Sequence, residues 1–128
     1  MSTAYATSAD GLEWTWRGTA LGPRPGSWDA RGARLTAVLP GGHAAYDGRA
    51  TKQENWLERT GLAVAAGRPG AFVAVGDGPV ADVRYLEVVR LPTGGHRLYY
   101  EARLADGSHE LRTELVAPQQ RCVTSRGT

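Results

Sequence analysis

The sequence predicts an all-β protein whose strands run antiparallel in up-and-down sheets. Apolar and polar residues alternate over short runs, which is the pattern of half-buried strands. These runs are separated by turn segments, and the chain contains 17 glycines and 7 prolines, the residues that favour turns. No stretch holds a helical spacing of apolar residues, and we expect almost no helix.

The first predicted element is a β-hairpin in the stretch "YATSADGLEWTWRG", residues 5 to 18. Asp10 and Gly11 form a strong turn signal between two alternating runs. Trp14 and Trp16 are two positions apart and therefore share one face of the second strand.

An internal repeat follows the hairpin. With Gly41 placed over Gly94, "GGHAAYDGR" matches "GGHRLYYEAR", and "LERTGLAVA" then matches "ELRTELVA". With a short gap, "RLTAVLP" matches "RYLEVVRLP". The strands predicted within the two units are 33–39, 43–49, 59–65 and 71–75, then 84–91, 97–103 and 110–117.

Repeated up-and-down sheets of this length are typical of propeller blades, so the sequence predicts a partial β-propeller. It would contain about two blades and the last hairpin of a third. We divide the chain into a trailing hairpin (1–22), a full blade (23–78), a blade lacking its last strand (79–121) and a tail (122–128). A β-sandwich with the two repeats in facing sheets is the alternative fold.

Because successive strands of such a blade run in opposite directions, successive connections lie at opposite ends of the blade. Gly-rich turns fall at one end, while 24–32, 50–59, 76–84 and 104–112 fall at the other. Aromatic and charged loop residues on a rigid scaffold predict a binding face there. The candidate ligand-binding residues are Trp28, Asp29, Arg31, Trp56, Glu58, Arg59, His109 and Glu110.

Two of these candidates also admit a structural interpretation. Asp29 beside arginines suits recognition of sugar hydroxyls or acid/base chemistry, or else an inter-blade salt bridge. Trp56 lies among amide and carboxylate groups as in a sugar-stacking site, or else it caps the core. We favour structural ion pairing for the matched residues Asp47, Glu101, Arg49 and Arg103.

Charge and composition exclude several functions. The 15 basic and 13 acidic residues are interleaved, which disfavours a nucleic-acid partner. Cys122 is the single cysteine, and the chain has neither a signal-peptide pattern nor an apolar run of membrane-spanning length, so we expect a cytoplasmic protein without a membrane partner. We expect no cofactor and no metal site, and His109 with Glu110 alone does not make a zinc site.

The stretches "YATSADGLEWTWRG", "WDARGARLTAVL" and "AAYDGRATKQENWLERTGLAVA" resemble the five-bladed β-propeller glycoside hydrolases, the arabinanase, xylosidase and fructosidase-like enzymes. In that group "SxDGxxW" recurs at the last hairpin of a blade, matching Ser8, Asp10, Gly11 and Trp14. The resemblance covers nearly the whole chain and extends through 83–115.

The resemblance implies a carbohydrate-binding face. It also implies that the main catalytic carboxylates are missing, because this chain matches the later blades of those enzymes and the carboxylates lie in the earlier ones. No catalytic residue is assigned, and we expect the isolated chain to be inactive as a glycosidase. Its expected partners are a carbohydrate, the missing blades or a second copy of the chain. The alternative is a non-catalytic carbohydrate-binding or protein-interaction module.

Overall fold

The computed structural model describes residues 1–119. The predicted tail (122–128) and the last two residues of the second predicted blade lie outside this range. The strands are β1 (Thr3–Thr7), β2 (Thr15–Leu21), β3 (Gly32–Leu39), β4 (His43–Arg49), β5 (Arg59–Ala65), β6 (Phe72–Val75), β7 (Val83–Arg90), β8 (His96–Arg103) and β9 (His109–Val116).

The all-β antiparallel fold class is confirmed. The first sheet contains β1 and β2, the middle sheet β3 to β6, and the last sheet β7 to β9, each strand pairing with its neighbour in sequence. The sandwich crossover between non-consecutive strands is absent from residues 1–119. A short 3₁₀ helix, Lys52–Glu54, is the one helix among the described residues, and it is far too short to cross a membrane.

The first and middle sheets pack through small side chains. Leu21 of the first sheet joins a buried cluster with Ala33, Ala44 and Ala63 of the middle sheet. Tyr46 is the largest fully buried side chain in this cluster. Alanine brings two sheets close together at little cost in side-chain entropy, which explains the low content of large aliphatic residues in the core.

Glycines create the space for the aromatic residues of this core. A Cβ atom at Gly61 would lie 2.6 Å from the Tyr46 ring and 2.7 Å from the Trp28 ring. The two rings stack with centroids 5.7 Å apart. Gly61 is therefore required for packing, whereas its backbone has no unusual φ.

The middle and last sheets meet along β7. The Thr60 hydroxyl donates to the Val83 carbonyl at 2.8 Å, and Thr60 forms an isolated bridge with Ala81. On the same face of the middle sheet, Ala45 and Asp47 are fully buried. This seam determines how the loops of the two sheets lie beside each other.

The structure places the same ion pair in both repeats. Arg34 of β3 is the cross-strand partner of Asp47 in β4, and Arg84 of β7 is the cross-strand partner of Glu101 in β8. A register shift follows each arginine, between Leu35 and Ala37 in β3 and after Arg84 in β7. The sequence repeat therefore corresponds to a structural repeat.

Candidate functional site

A polar cleft lies at the end of the sheets where the sequence predicts a binding face. Its volume is about 500 Å³. It is bounded by the loop before β5, the loop before β7 and the end of β8. The lining residues are Glu54, Leu57, Arg59, Pro79, Val80, Ala81, Asp82 and Arg103.

Side chains of opposite charge form the polar walls of the cleft. Arg103 approaches Asp82 at 3.3 Å. Glu54 accepts the backbone N–H of Ala50 at 2.6 Å and that of Thr51 at 3.3 Å, in a capping box that fixes the short helix. These bonds hold two carboxylates and a guanidinium at the cleft without burying them, and Arg59 supplies a second guanidinium.

Trp56 stands beside the cleft, between Glu54 and Leu57 in the chain, and it is 68% exposed. The Arg84 guanidinium lies 5.7 Å from the centroid of its ring. Arg84 is itself fixed by Glu101 at 2.8 Å and by Glu58 at 3.3 Å. The indole is therefore supported by a buried cation while most of its surface remains open to solvent.

Glu58 belongs to this support and lies outside the cleft lining. Its side chain is almost fully buried and its carboxylate pairs with Arg84. The loop position of Glu58 predicts a cleft residue. In the structure its carboxylate is instead paired with the buried guanidinium of Arg84 from the neighbouring sheet.

Asp29 is fully buried and also has a structural environment. The Arg24 Nε donates to both carboxylate oxygens at 3.1 and 3.0 Å, and the Tyr46 hydroxyl donates to Oδ2 at 2.7 Å. Burial, together with the bond to Asp29, raises the pKa of the Tyr46 phenol. The inter-blade salt bridge considered from the sequence is corrected, because Arg24 lies in the same predicted blade as Asp29.

The other predicted residues are dispersed. Arg59 lines the cleft, and its guanidinium lies 5.8 Å from the half-buried Trp28 ring. Arg31 is exposed outside the cleft lining. His109 begins β9 opposite Arg103, and the exposed Glu110 pairs with Arg112 at 2.6 Å. Of the eight predicted residues, the cleft lining includes Arg59.

Sequence reasoning missed Asp82 and Arg103 as cleft residues. The match with Arg49 in the repeat favours a structural role for Arg103, and Asp82 belongs to no motif. The sequence does contain one signal for Arg103 as a cleft residue. Arg103 ends a strand, next to the loops that are predicted to form the binding face. Their pairing, between the loop before β7 and the end of β8, could not be predicted from spacing alone.

A second charged cluster lies inside the seam between the middle and last sheets. Arg34 donates to the Asp47 carboxylate at 2.7 Å, and the Tyr85 backbone N–H approaches its two oxygens at 3.1 and 3.2 Å. Burial raises the pKa of Asp47, against the lowering effect of Arg34 and of the Tyr85 N–H.

Tyr85 has a φ of 55°, in the left-handed region that costs a bulky residue roughly 1–2 kcal/mol. The bond to Asp47 and the Arg34 guanidinium, 4.2 Å from the Tyr85 ring centroid, hold this conformation. The Asp47 cluster is thus a structural connection between sheets, closed to a ligand by burial.

The fold and the cleft together define an all-β repeat protein with a polar cleft at the loop end. Within residues 1–119 no group of three or more metal-binding side chains is placed to hold an ion. Comparison with known protein families, curated proteins and solved structures found no match.

Proposed function

We propose that the protein is a partial, glycoside hydrolase-like β-propeller that contributes a carbohydrate-binding face and does not itself hydrolyse glycosides. One observation carries the proposal. A polar cleft with charges of both signs lies beside an exposed tryptophan, at the end of the sheets where the resemblance also puts the ligand.

The cleft residues suit the chemistry of a sugar. Hydroxyl groups both donate and accept hydrogen bonds, so they need acceptors such as Glu54 and Asp82 together with donors such as Arg59 and Arg103. The apolar face of a pyranose or furanose ring packs on an aromatic side chain, and Trp56 offers an exposed indole for that contact.

The environments of the carboxylates favour binding over hydrolysis. Glycosidases need one carboxylic acid that donates a proton and a second carboxylate that acts as base or nucleophile. Asp29 and Glu58 are buried in ion pairs, and Asp82 is paired with Arg103. The Glu54 carboxylate accepts two backbone N–H groups, so it already serves to cap the short helix.

Isothermal titration calorimetry with arabino-, xylo- and fructo-oligosaccharides tests the binding. We expect saturable binding to at least one of these sugars, weakened roughly tenfold by Trp56→Ala, which is the upper end of what an aromatic contact contributes. Trp14→Ala is the matched control, since Trp14 is 63% exposed and lies outside the cleft. Absence of heat with all three sugars, or equal losses in both variants, would overturn the proposal.

Assay with aryl furanosides and aryl xylosides tests the absence of hydrolysis. The purified chain should release no aryl alcohol above the buffer rate, because the buried carboxylates Asp29, Asp47 and Glu58 already serve as ion-pair partners. Turnover that Glu54→Gln or Asp82→Asn abolishes would show that the cleft is catalytic.

The alternative function is a non-catalytic protein-interaction module. The apolar side chains exposed on the outer strands favour it, notably Leu111 and Leu115 on β9. An oligosaccharide that binds at the cleft would distinguish the two functions. A cytoplasmic location remains part of the proposal, in keeping with a single cysteine that leaves no intrachain disulfide.

A further inference from the structure

Each terminal sheet has one face that packs on the middle sheet and one face that does not. In β1 the side chains of Thr3, Tyr5 and Thr7 are partly buried, while Ala4 and Ala6 are exposed. The Tyr5 ring lies against Gly70 in the β5–β6 turn, so the odd-numbered residues of β1 face the middle sheet.

The outer face of the first sheet is apolar. Trp16 is the cross-strand partner of Ala6 and therefore points away from the middle sheet with it. The Trp16 side chain is 67% exposed. Thr19, opposite Ala4, completes an uncharged surface that we call the leading face: Ala4, Ala6, Trp16 and Thr19.

The last sheet likewise has one face toward the middle sheet and one face away from it. Val88 and Leu98 are cross-strand partners, and they share a small apolar cavity with Leu39 and Pro40 of the middle sheet. The residues that alternate with them point outward. This trailing face has the cross-strand rows Val89–Arg97–Leu115 and Glu87–Tyr99–Thr113 and the pair Glu101–Leu111. Arg84, the partner of Glu101, is itself buried and also bonds to Glu58.

In the repeat, the trailing face corresponds to the face of the middle sheet that β7 covers. On the middle sheet the Arg34–Asp47 pair is covered by β7, whose Tyr85 N–H donates to Asp47. On the last sheet the matching pair is Arg84–Glu101, and the Glu101 side chain is 33% exposed. The same ion pair is present at the next step of the repeat, and residues 1–119 provide no sheet to cover it.

We propose that the leading face of one chain packs on the trailing face of a second copy, so that the chain assembles head to tail. The middle sheet packs one face on the first sheet, through Ala44, and its opposite face on the last sheet, through Asp47, and the two open faces are an unused pair of the same kind. Their apolar side chains, Trp16 on one and Leu111 and Leu115 on the other, supply the surface to bury.

A head-to-tail contact differs from a two-fold one in its consequences. Two different surfaces meet, so each copy keeps one free face, and the assembly either closes into a ring or continues to grow. A variant blocked on one face can still offer the other, which makes the arrangement testable by mixing.

Size-exclusion chromatography with light scattering gives the test. The unaltered chain should have a mass of at least twice 13.7 kDa and decrease in mass on dilution. Trp16→Arg and Leu111→Arg each block one face, so either variant alone should be a monomer of 13.7 kDa. Their equimolar mixture should form a 1:1 dimer that grows no further, because each partner contributes its intact face.

The control is Val38→Arg, on the middle sheet, where the side chain is 66% exposed and close to the 67% of Trp16. It should assemble as the unaltered chain does. Circular dichroism of each variant checks folding, and dimer formation in the mixture shows independently that both are folded. A monomeric unaltered chain, association of either variant by itself, or a mixture that stays monomeric would each overturn the proposal.

Discussion

The middle and last sheets carry the same ion pair in different surroundings. Asp47 in the middle sheet is fully buried beneath β7, while Glu101 in the last sheet retains a 33% exposed side chain. Both pair with an arginine on the preceding strand at cross-strand positions. The repeat therefore determines which charges pair, and the neighbouring sheet determines how far each pair is removed from water.

This difference separates a connection between sheets from an open surface. The Asp47 carboxylate accepts bonds from Arg34 and from the Tyr85 backbone, so it joins two sheets. The Glu101 carboxylate bonds to Arg84, which already has Glu58 as a second partner. Removal of the Asp47 carboxylate should therefore lower stability much more than removal of the Glu101 carboxylate.

Asp47→Ala should have the largest effect, lowering the free energy of unfolding by about 3 kcal/mol. It leaves Arg34 without its partner and the Tyr85 N–H without an acceptor inside the seam. Glu101→Ala is the matched change in the last sheet, and it should cost about 1 kcal/mol or less. Urea unfolding of both variants measures the difference, and equal costs would contradict the comparison.

Gly61→Ala should have the next largest effect, a loss of about 1–3 kcal/mol in stability. The added methyl group would meet the Tyr46 ring at 2.6 Å, so the ring or the backbone must shift within a close-packed core. Gly78→Ala is the control, since a Cβ there meets nothing within 4 Å. Thermal unfolding distinguishes the two, and an unchanged midpoint for Gly61→Ala would show that the rings can move apart.

The pH dependence of stability should show the smallest effect. Burial raises the pKa of Asp47 above its usual 3.8, so the folded state binds this proton more tightly than the unfolded state does. The contribution of Asp47 to stability should increase as the pH falls from above the folded pKa toward 3.8. Comparison with Asp47→Asn isolates this contribution, because asparagine does not titrate.

Urea unfolding at a series of pH values measures this difference in stability between the two proteins. The unaltered protein should gain stability relative to Asp47→Asn over that window. A relative loss on acidification would mean that Arg34 outweighs burial and that the folded pKa lies below 3.8.

The fold was largely predictable because its signals are local. Asp10 with Gly11 marked the first turn, and alternation gave the strands to within a residue or two, from Gly32–Leu39 to His109–Val116. The repeat also aligned Arg34 with Arg84, whose matching ion pairs are now visible. Each of these features depends on neighbours in sequence or on one adjacent strand.

The site was less predictable because it depends on contacts between distant residues. The loop positions of Asp29 and Glu58 predict cleft residues, but both side chains are buried and paired, with Arg24 and Arg84 respectively. Asp82 precedes β7 and Arg103 ends β8, one position beyond the Val83–Ala102 pair, and the register shift between Arg84 and Glu87 hides this pairing from the sequence. A cleft lies at the end of the sheets where loop composition predicts a binding face, and tertiary contacts decide which side chains remain open there.

Chemical-shift mapping tests the central claim, that the cleft where the middle and last sheets meet binds carbohydrate. A ¹⁵N-labelled sample would be titrated with the oligosaccharide that calorimetry selects. We predict saturable shifts at the backbone N–H groups of Arg59, Val80, Asp82 and Arg103, together with the Trp56 indole N–H. Shifts confined to the outer faces, or none at the cleft, would contradict the account.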